Sequence, residues 1–310
     1  MSEESLFHHT LDTRDQGKKL EDILYRRFRF SRKLLQRLKI GENVWLDGKT
    51  VYLSTRGQSG QVLTVNLFEA EDVSIQGEDL PLDILFEDLF FLAVNKPPGQ
   101  IVHPVGPHVK GTLANAVIGY WERQGQIRPF RPVFRIDRNT SGLVLIAKNR
   151  FAHQQLTLLF HSGMVRKFYL GLVGGILPSD AESGLIDLPI GVRPGSKIVR
   201  EIHPAGQQAQ TEYQTLAAAA DCSLVAFRPR TGRTHQIRVH CQAIGHPLLG
   251  DDLYHGDCTL MSRQALHAYR YSFVHPFTKA ELELTAPLPA DIEFFLAQRF
   301  DPALIERLKI

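Results

Sequence analysis

Asp137 is the acid whose surroundings most suggest chemistry. The segment Phe134-Arg135-Ile136-Asp137-Arg138-Asn139-Thr140-Ser141-Gly142 sets one carboxylate between two arginines, in a polar turn that ends in glycine. An apolar strand, Leu143–Ala147, follows directly. A carboxylate so placed can attack as a nucleophile or act as a general base. Turn chemistry alone also accounts for Asn139–Gly142, and an aspartate beside arginine is more often a surface ion pair. A second segment runs from Arg228 to His240, where a strand ends in a Thr231-Gly232 turn. Thr234 is placed to cap a helix over 234–244. On that helix Arg238 shares a face with His235 and Gln242, while Ile237, Cys241 and Ile244 form the apolar side. Arg228, Arg230, Arg233 and Arg238 fall within eleven residues beside this helix start, a composition suited to phosphate. A third segment, Val165–Gly171, puts Lys167 and Tyr169 on one face of a strand. A fourth, Asn95–Pro104, is a proline-stiffened turn after a strand, as well suited to structure as to a site.

Those residues need a scaffold, and apolar patterning predicts one. Strands are expected at 84–86, 91–95, 144–147, 167–173, 211–215, 223–228, 269–274 and 280–284. Helices are expected at 112–124, 151–161, 234–244 and near the C-terminus. A crossover helix does not follow each strand, so the fold class is α+β with a mixed, mostly antiparallel sheet. Ahead of it, Leu20, Ile23, Leu24 and Phe28 recur at helical spacing. Ser31 is placed to cap a second helix to Lys39, with Gly41 as its stop. Asp47-Gly48 between apolar runs predicts a hairpin over 44–53, and a strand follows at 62–67. Residues 69–83 are acidic and polar, with Gly77 and Pro81. The expected division is a small module over 1–75, a linker over 76–83 and a larger domain over 84–310.

Composition narrows the function classes. The chain of 310 residues is 43% hydrophobic and 22% charged, as ordinary globular proteins are. No apolar run reaches the ~18 residues of a membrane helix, and residues 1–20 hold no apolar core of a signal peptide. The three cysteines are an odd number without CxxC spacing, and the 13 histidines show no tight ligand pattern. The expectation is a cytoplasmic chain with no metal and no membrane partner. Net charge is only +3, but Tyr25–Lys39 carries Arg26, Arg27, Arg29, Arg32, Lys33, Arg37 and Lys39 with no acid. A lone run of this kind is usually a solvated helix face; this one is dense enough to suggest a phosphate backbone.

In register and in order, these segments resemble the RluA-type family of RNA pseudouridine synthases. The family's HRLDxxTSGLLLxAK appears as FRIDRNTSGLVLIAK over 134–148. The KPxGxxVHP loop, the KxY strand, GRTHQIRVH, GHPLLGDDLYHG and LHAYRYSFVHP are also present, and the likeness covers roughly residues 80–290. The N-terminal module resembles an RNA-binding domain of ribosomal-protein type, through its basic helix pair and Asp-Gly hairpin. The resemblance implies that Asp137 is the catalytic aspartate and Arg238 the basic residue paired with it. It implies that Tyr169 stacks on the base and that Arg135 helps hold the nucleotide out of its stack. RNA contact is expected from Arg233, Lys167 and His235, and from Arg26, Arg27, Arg29, Arg32, Lys33 and Arg37 of the module. Phe134 departs from the pattern, standing where histidine is usual.

The implied reaction breaks N1–C1′, turns the uracil and forms C5–C1′. It changes no oxidation state, so no cofactor is expected. Whether Asp137 attacks C1′ or takes the C2′ proton is not decided by residue types. The base must leave its stack first, at a cost of a few kcal/mol. The expected partner is RNA, ribosomal before transfer RNA, and the expected state is a monomer. The rival reading is a catalytically inactive RNA-binding protein acting in ribosome assembly. A glycosidase would need a second positioned carboxylate.

Overall fold

The computed structural model describes residues 6–40, 42–67, 74–177 and 184–304. The expected stop at Gly41 and the acidic start of the linker, 69–73, lie outside them. The N-terminal part holds β1 (Leu6–Thr10), α1 (Leu20–Asp22) running into one π turn (Ile23–Arg27), and α2 (Arg32–Leu38). β2 (Val44–Leu46), β3 (Lys49–Thr50) and β4 (Val62–Asn66) complete it, in the antiparallel order β1-β4-β2-β3. Ser31 caps α2 as expected, its hydroxyl accepting from Leu34 N at 3.2 Å. Asp47 and Gly48 both adopt positive φ, 50° and 77°, as the tight hairpin requires. Asp47 Oδ1 also accepts from Val62 N at 2.8 Å, which pins β4 alongside. Leu20, Ile23, Leu24, Leu34, Leu35 and Leu38 bury the helices against Leu63 and Val65 of the sheet.

The larger part is built on a nine-stranded sheet. Its strands are β5 (Ile84–Glu87), β6 (Phe91–Lys96), β7 (Ser141–Ala147), β8 (Arg166–Gly174), β9 (Gly184–Asp187), β12 (Gln210–Ala218), β13 (Cys222–Pro229), β14 (Leu266–Val274) and β15 (Glu281–Thr285). A separate hairpin joins β10 (Ile190–Val192) and β11 (Arg200–Ile202). The helices are α3 (Leu113–Arg123), α4 (Arg150–His161), α5 (Gln236–Ala243) and α6 (Ala290–Arg299). The sheet order is β5-β6-β7-β14-β8-β13-β12-β9, with β15 also on β14. Among the described strands only β7 and β14 pair in parallel, so the expected mixed, mostly antiparallel sheet is present.

That one parallel contact is short and sits beside the Asp137 turn. It pairs His267 with Ser141 and Ala268 with Gly142, after which β15 takes over the edge of β14. Gly142 has φ 106°, and a Cβ there would lie 2.2 Å from the Ala268 carbonyl oxygen. Only glycine lets the chain leave the turn this close to β14.

The N-terminal part is docked against α4. Phe151 of α4 belongs to its core, 4.1 Å ring to ring from Phe30 and 5.7 Å from Phe7. Gln154 accepts from Ser31 N at 3.2 Å and donates to Arg29 O at 2.8 Å, and Gln155 donates to Phe28 O at 3.0 Å. No helix among the described residues is long and apolar enough to cross a membrane.

Candidate active site

Asp137 sits four residues before β7, in a turn closed by Thr140 N donating to Asp137 O at 3.1 Å. Two buried cations brace that turn through its carbonyls. Lys96 Nζ donates to Arg138 O at 2.9 Å, and also to Pro97 O at 2.7 Å and Gln100 O at 2.9 Å. Arg263 Nη1 donates to Asn139 O at 2.9 Å, while its Nε and Nη2 grip Asp291 of α6 at 2.6 and 2.8 Å. Burial, helped by Arg263 and opposed by Asp137, pushes the Lys96 pKa down to about 7. Three carbonyl acceptors match the three protons of its ammonium form. The fourth sequence segment is thus structural at Lys96: it fixes where the Asp137 loop lies.

Arg238 reaches the carboxylate from α5. Its Nε and Nη2 donate to Asp251 at 2.8 and 2.7 Å, and Nη1 donates to Asp137 Oδ2 at 3.1 Å. Asp251 is fully buried and Asp137 about a quarter exposed, so one partner is an anchor and the other faces the cavity. Burial opposes the Arg238 charge, but the bonds to Asp251 and Asp137 outweigh it and raise its pKa above the ordinary arginine value. The guanidinium also lies 5.0 Å over the Tyr254 ring.

Tyr169 comes from β8. Its hydroxyl pairs with that of Tyr271 at 3.0 Å, and Tyr271 donates onward to Leu143 O at 3.4 Å. Burial pushes the Tyr169 pKa up to about 12, with Asp137 adding to the rise and Tyr271 opposing it. The hydroxyl is therefore protonated at neutral pH. Tyr169→Phe is expected to keep RNA affinity within about twofold and stability within about 1.5 kcal/mol, since the ring stays and one neutral hydrogen bond is lost. Filter binding and chemical denaturation check this; a tenfold loss of affinity would show that the hydroxyl itself holds RNA.

Around these groups lies a cavity of about 600 Å³, in the range of small-ligand sites. All seven candidates of the larger domain line it: Asp137, Tyr169, Arg238, Arg135, Lys167, Arg233 and His235. Arg135 and Arg233 are exposed at its edge, and burial pushes the Lys167 pKa down. Phe134 also lines it, stacked on Phe160 at 4.8 Å and edge-on to Tyr271 at 5.3 Å. Its ring completes an aromatic wall, a packing role that needs no ring nitrogen.

The module's basic residues do not line the cavity. Arg26, Arg29, Arg32 and Lys33 are exposed. Arg27 is engaged by Asp12 and Asp15 at 2.8 and 2.5 Å. Arg37 is half-buried, its pKa pushed down to about 10 by burial and by Arg150 and Arg131.

One local expectation fails. Thr234 does not cap α5. The N-cap residue is His235, in the left-handed region at φ 58°, and no side chain caps there. Gln236 closes the turn instead, its Oε1 accepting from Arg233 N at 3.0 Å and from Thr231 Oγ1 at 2.7 Å. Asp251, Tyr254, Lys96 and Arg263 also shape the site, and no local pattern of residue types singles any of them out. The stretch GHPLLGDDLYHG that holds Asp251 and Tyr254 was visible, but not which atoms they hold.

The arrangement is one part-exposed carboxylate, one buried arginine and a protonated tyrosine on a basic cavity. The second carboxylate, Asp251, is buried on Arg238, so the acid pair of a glycosidase is missing among the described residues at this site. The family described as RNA pseudouridylate synthase matches residues 90–243. A Bacillus subtilis relative, the uncharacterized RNA pseudouridine synthase YjbO, is 40% identical over 265 residues, 84% of this chain and 93% of its own. The chain belongs to the RNA pseudouridine synthase family. The synthase is also 32% identical over 309 residues to ribosomal large subunit pseudouridine synthase D of Vibrio vulnificus, covering 94% of each. Its fold is similar to human RNA pseudouridylate synthase domain containing 1, at TM-score 0.58 and 25% identity, covering 75% of this chain and 96% of that one. The synthase is accordingly an isomerase that acts on uridine in RNA.

Proposed function

We propose that the synthase converts specific uridines of ribosomal RNA to pseudouridine in the cytoplasm, with Asp137 acting directly on the ribose of a flipped nucleotide. The observation that carries this is the Asp137 carboxylate, turned into the basic cavity and held on its other side by a buried arginine. Arg238, clamped by Asp251, keeps that carboxylate in one orientation through the reaction. Tyr169 offers a ring on which the uracil stacks while detached. Arg135, at the cavity edge, fills the gap left in the RNA, and Lys167, Arg233 and His235 bind the RNA around the target. The ribosomal target is supported by the relatives described as ribosomal large subunit pseudouridine synthase D. Mapping carbodiimide-reactive pseudouridines in total RNA, with and without the gene, tests the reading. Loss of at least one ribosomal position is expected; loss confined to transfer RNA would reassign the substrate.

The division into an RNA-binding module (1–75), a linker (76–83) and a catalytic domain (84–310) belongs to the same proposal. Deleting the module would uncover Phe151 and Phe277, both packed against its core, and confuse a binding defect with a packing one. Substitution in the full chain is cleaner. Replacing Arg26, Arg29, Arg32 and Lys33 with glutamine is expected to flatten the slope of log affinity against log salt by about two to three units, at ~0.7 per phosphate contact on single strands. The rate at saturating RNA is expected to stay within about twofold, because contacts made equally in ground and transition states alter binding alone. An unchanged slope would make the run a solvated helix face.

A further inference from the structure

His235 has a geometry that RNA contact in general does not explain. It carries a left-handed backbone at φ 58° and ψ 20°, uncommon outside glycine although histidine is among the side chains that adopt it more often. Its side chain is nine-tenths buried and lines the Asp137 cavity. Nδ1 is 2.8 Å from the Tyr254 hydroxyl, and that hydroxyl already accepts from Arg200 N at 3.0 Å. Tyr254 is itself buried, and burial raises its pKa, so it keeps its proton. With one lone pair taken by Arg200, the hydroxyl satisfies its own hydrogen by donating to Nδ1. The imidazole is therefore the tautomer with its hydrogen on Nε2. That Nε2–H faces Asp137 Oδ2 across 3.9 Å.

A separation of 3.9 Å is too long for a direct hydrogen bond and suits one oxygen lying about 2.8 Å from each group. The oxygen must accept from Nε2–H and donate to the carboxylate, and a hydroxyl does both. Within an RNA chain the 3′ and 5′ oxygens of an internal nucleotide are esterified, which leaves O2′ as its one free ribose hydroxyl. O2′ is also on C2′, next to C1′, the two atoms at which an aspartate can act in this reaction. We infer that His235 and Asp137 together bind the 2′-hydroxyl of the target ribose, so that the synthase reads RNA against DNA at the reacting nucleotide itself. This rests on the proposed function, in that the flipped nucleotide must enter this cavity. Tyr254 is the positioning residue that sets the tautomer, and the helix entry at His235 holds the ring in place.

The test uses dead-end ligands, so that chemistry does not mask binding. An RNA fragment that the full-length synthase converts is prepared as product, with pseudouridine at the target. A second copy carries 2′-deoxypseudouridine there. Competitive inhibition constants are measured for wild type, His235→Phe and His235→Gln, each checked for folding by circular dichroism. Wild type is expected to prefer the ribo product by about tenfold, the scale of one hydrogen bond to an ionised partner. His235→Phe is expected to reduce that preference to twofold or less, and His235→Gln, which keeps an N–H donor, to recover most of it. A purely structural role would weaken both ligands equally. Equal inhibition of wild type by the two products overturns the inference without any variant, as does a full preference in His235→Phe. Failure to find any converted RNA would instead overturn the proposed function, and this inference with it.

Discussion

Asp137→Asn is expected to slow conversion at least ~10³-fold while leaving RNA affinity within a few-fold. Both mechanisms open to the carboxylate require it ionised: attack at C1′ needs its electron pair, and proton removal at C2′ needs its basicity. Asparagine keeps the shape and can still accept from Arg238 Nη1, but offers neither. The substitution is also structurally mild. Arg238 remains bonded to Asp251 through Nε and Nη2, so no buried charge is orphaned. The loop stays braced through the Arg138 and Asn139 carbonyls, which the substitution does not touch. Single-turnover conversion of a responsive RNA checks the rate, and a direct binding assay checks the affinity. Near-normal conversion would remove Asp137 from the chemistry. In wild type, deuterium at C2′ then separates the two routes: a primary isotope effect marks Asp137 as the base, and its absence marks the nucleophile.

Asp251→Ala is expected to be the more destructive change to the fold, although Asp251 never reaches the cavity. It would leave Arg238, about 5% exposed, with two of its bonds unmade on the side where Asp251 is fully buried. Removing one partner of a buried ion pair costs about 3–5 kcal/mol, and the single bond from Nη1 to the part-exposed Asp137 replaces little of the bidentate grip that is lost. Chemical denaturation should show that loss as a lower midpoint. Activity of the surviving folded fraction should fall too, since Arg238 would no longer present Nη1 to Asp137 in a fixed direction. A destabilisation below about 1 kcal/mol would mean that water or a local shift replaces the carboxylate. Asp137→Asn and Asp251→Ala thus separate two acids on one arginine: the first takes chemistry and spares stability, the second takes both.

Much of this was legible in the sequence for local reasons. The apolar runs set β6, β7, β8, β13 and β14 to within a few residues, because buried strands are read from short-range periodicity. Ser31 and the Asp47-Gly48 turn specify their own backbone, one through a side-chain oxygen and the other through tolerance of positive φ. Asp137, Tyr169 and Arg238 were singled out together by the resemblance of several segments, in register, to one family; residue types alone left each open to a structural reading. Other features were hidden because their cause lies elsewhere in the chain. β1 carries no local strand signal, since its histidines break the alternation, and it forms by pairing with β4 more than fifty residues away. The capping role of Thr234 lost to Gln236, whose amide finds Thr231 and Arg233 only once the turn has closed.

Tertiary structure alone decided which charges are buried and which are free. Asp251 carries the same functional group as Asp137, but Asp251 packs under α5 and anchors Arg238, while Asp137 keeps one side open to the cavity. Arg27 and Arg26 are neighbours in a basic run, yet Arg27 meets Asp12 and Asp15 while Arg26 stays exposed. Phe134, a departure from the family pattern by its type, becomes ordinary once Phe160 and Tyr271 stand beside it. A sequence specifies which groups a chain carries and the local backbone they prefer. Solvent exposure and partner geometry arise from contacts between distant segments, and those determine whether a carboxylate is buried as an anchor or left open to a cavity.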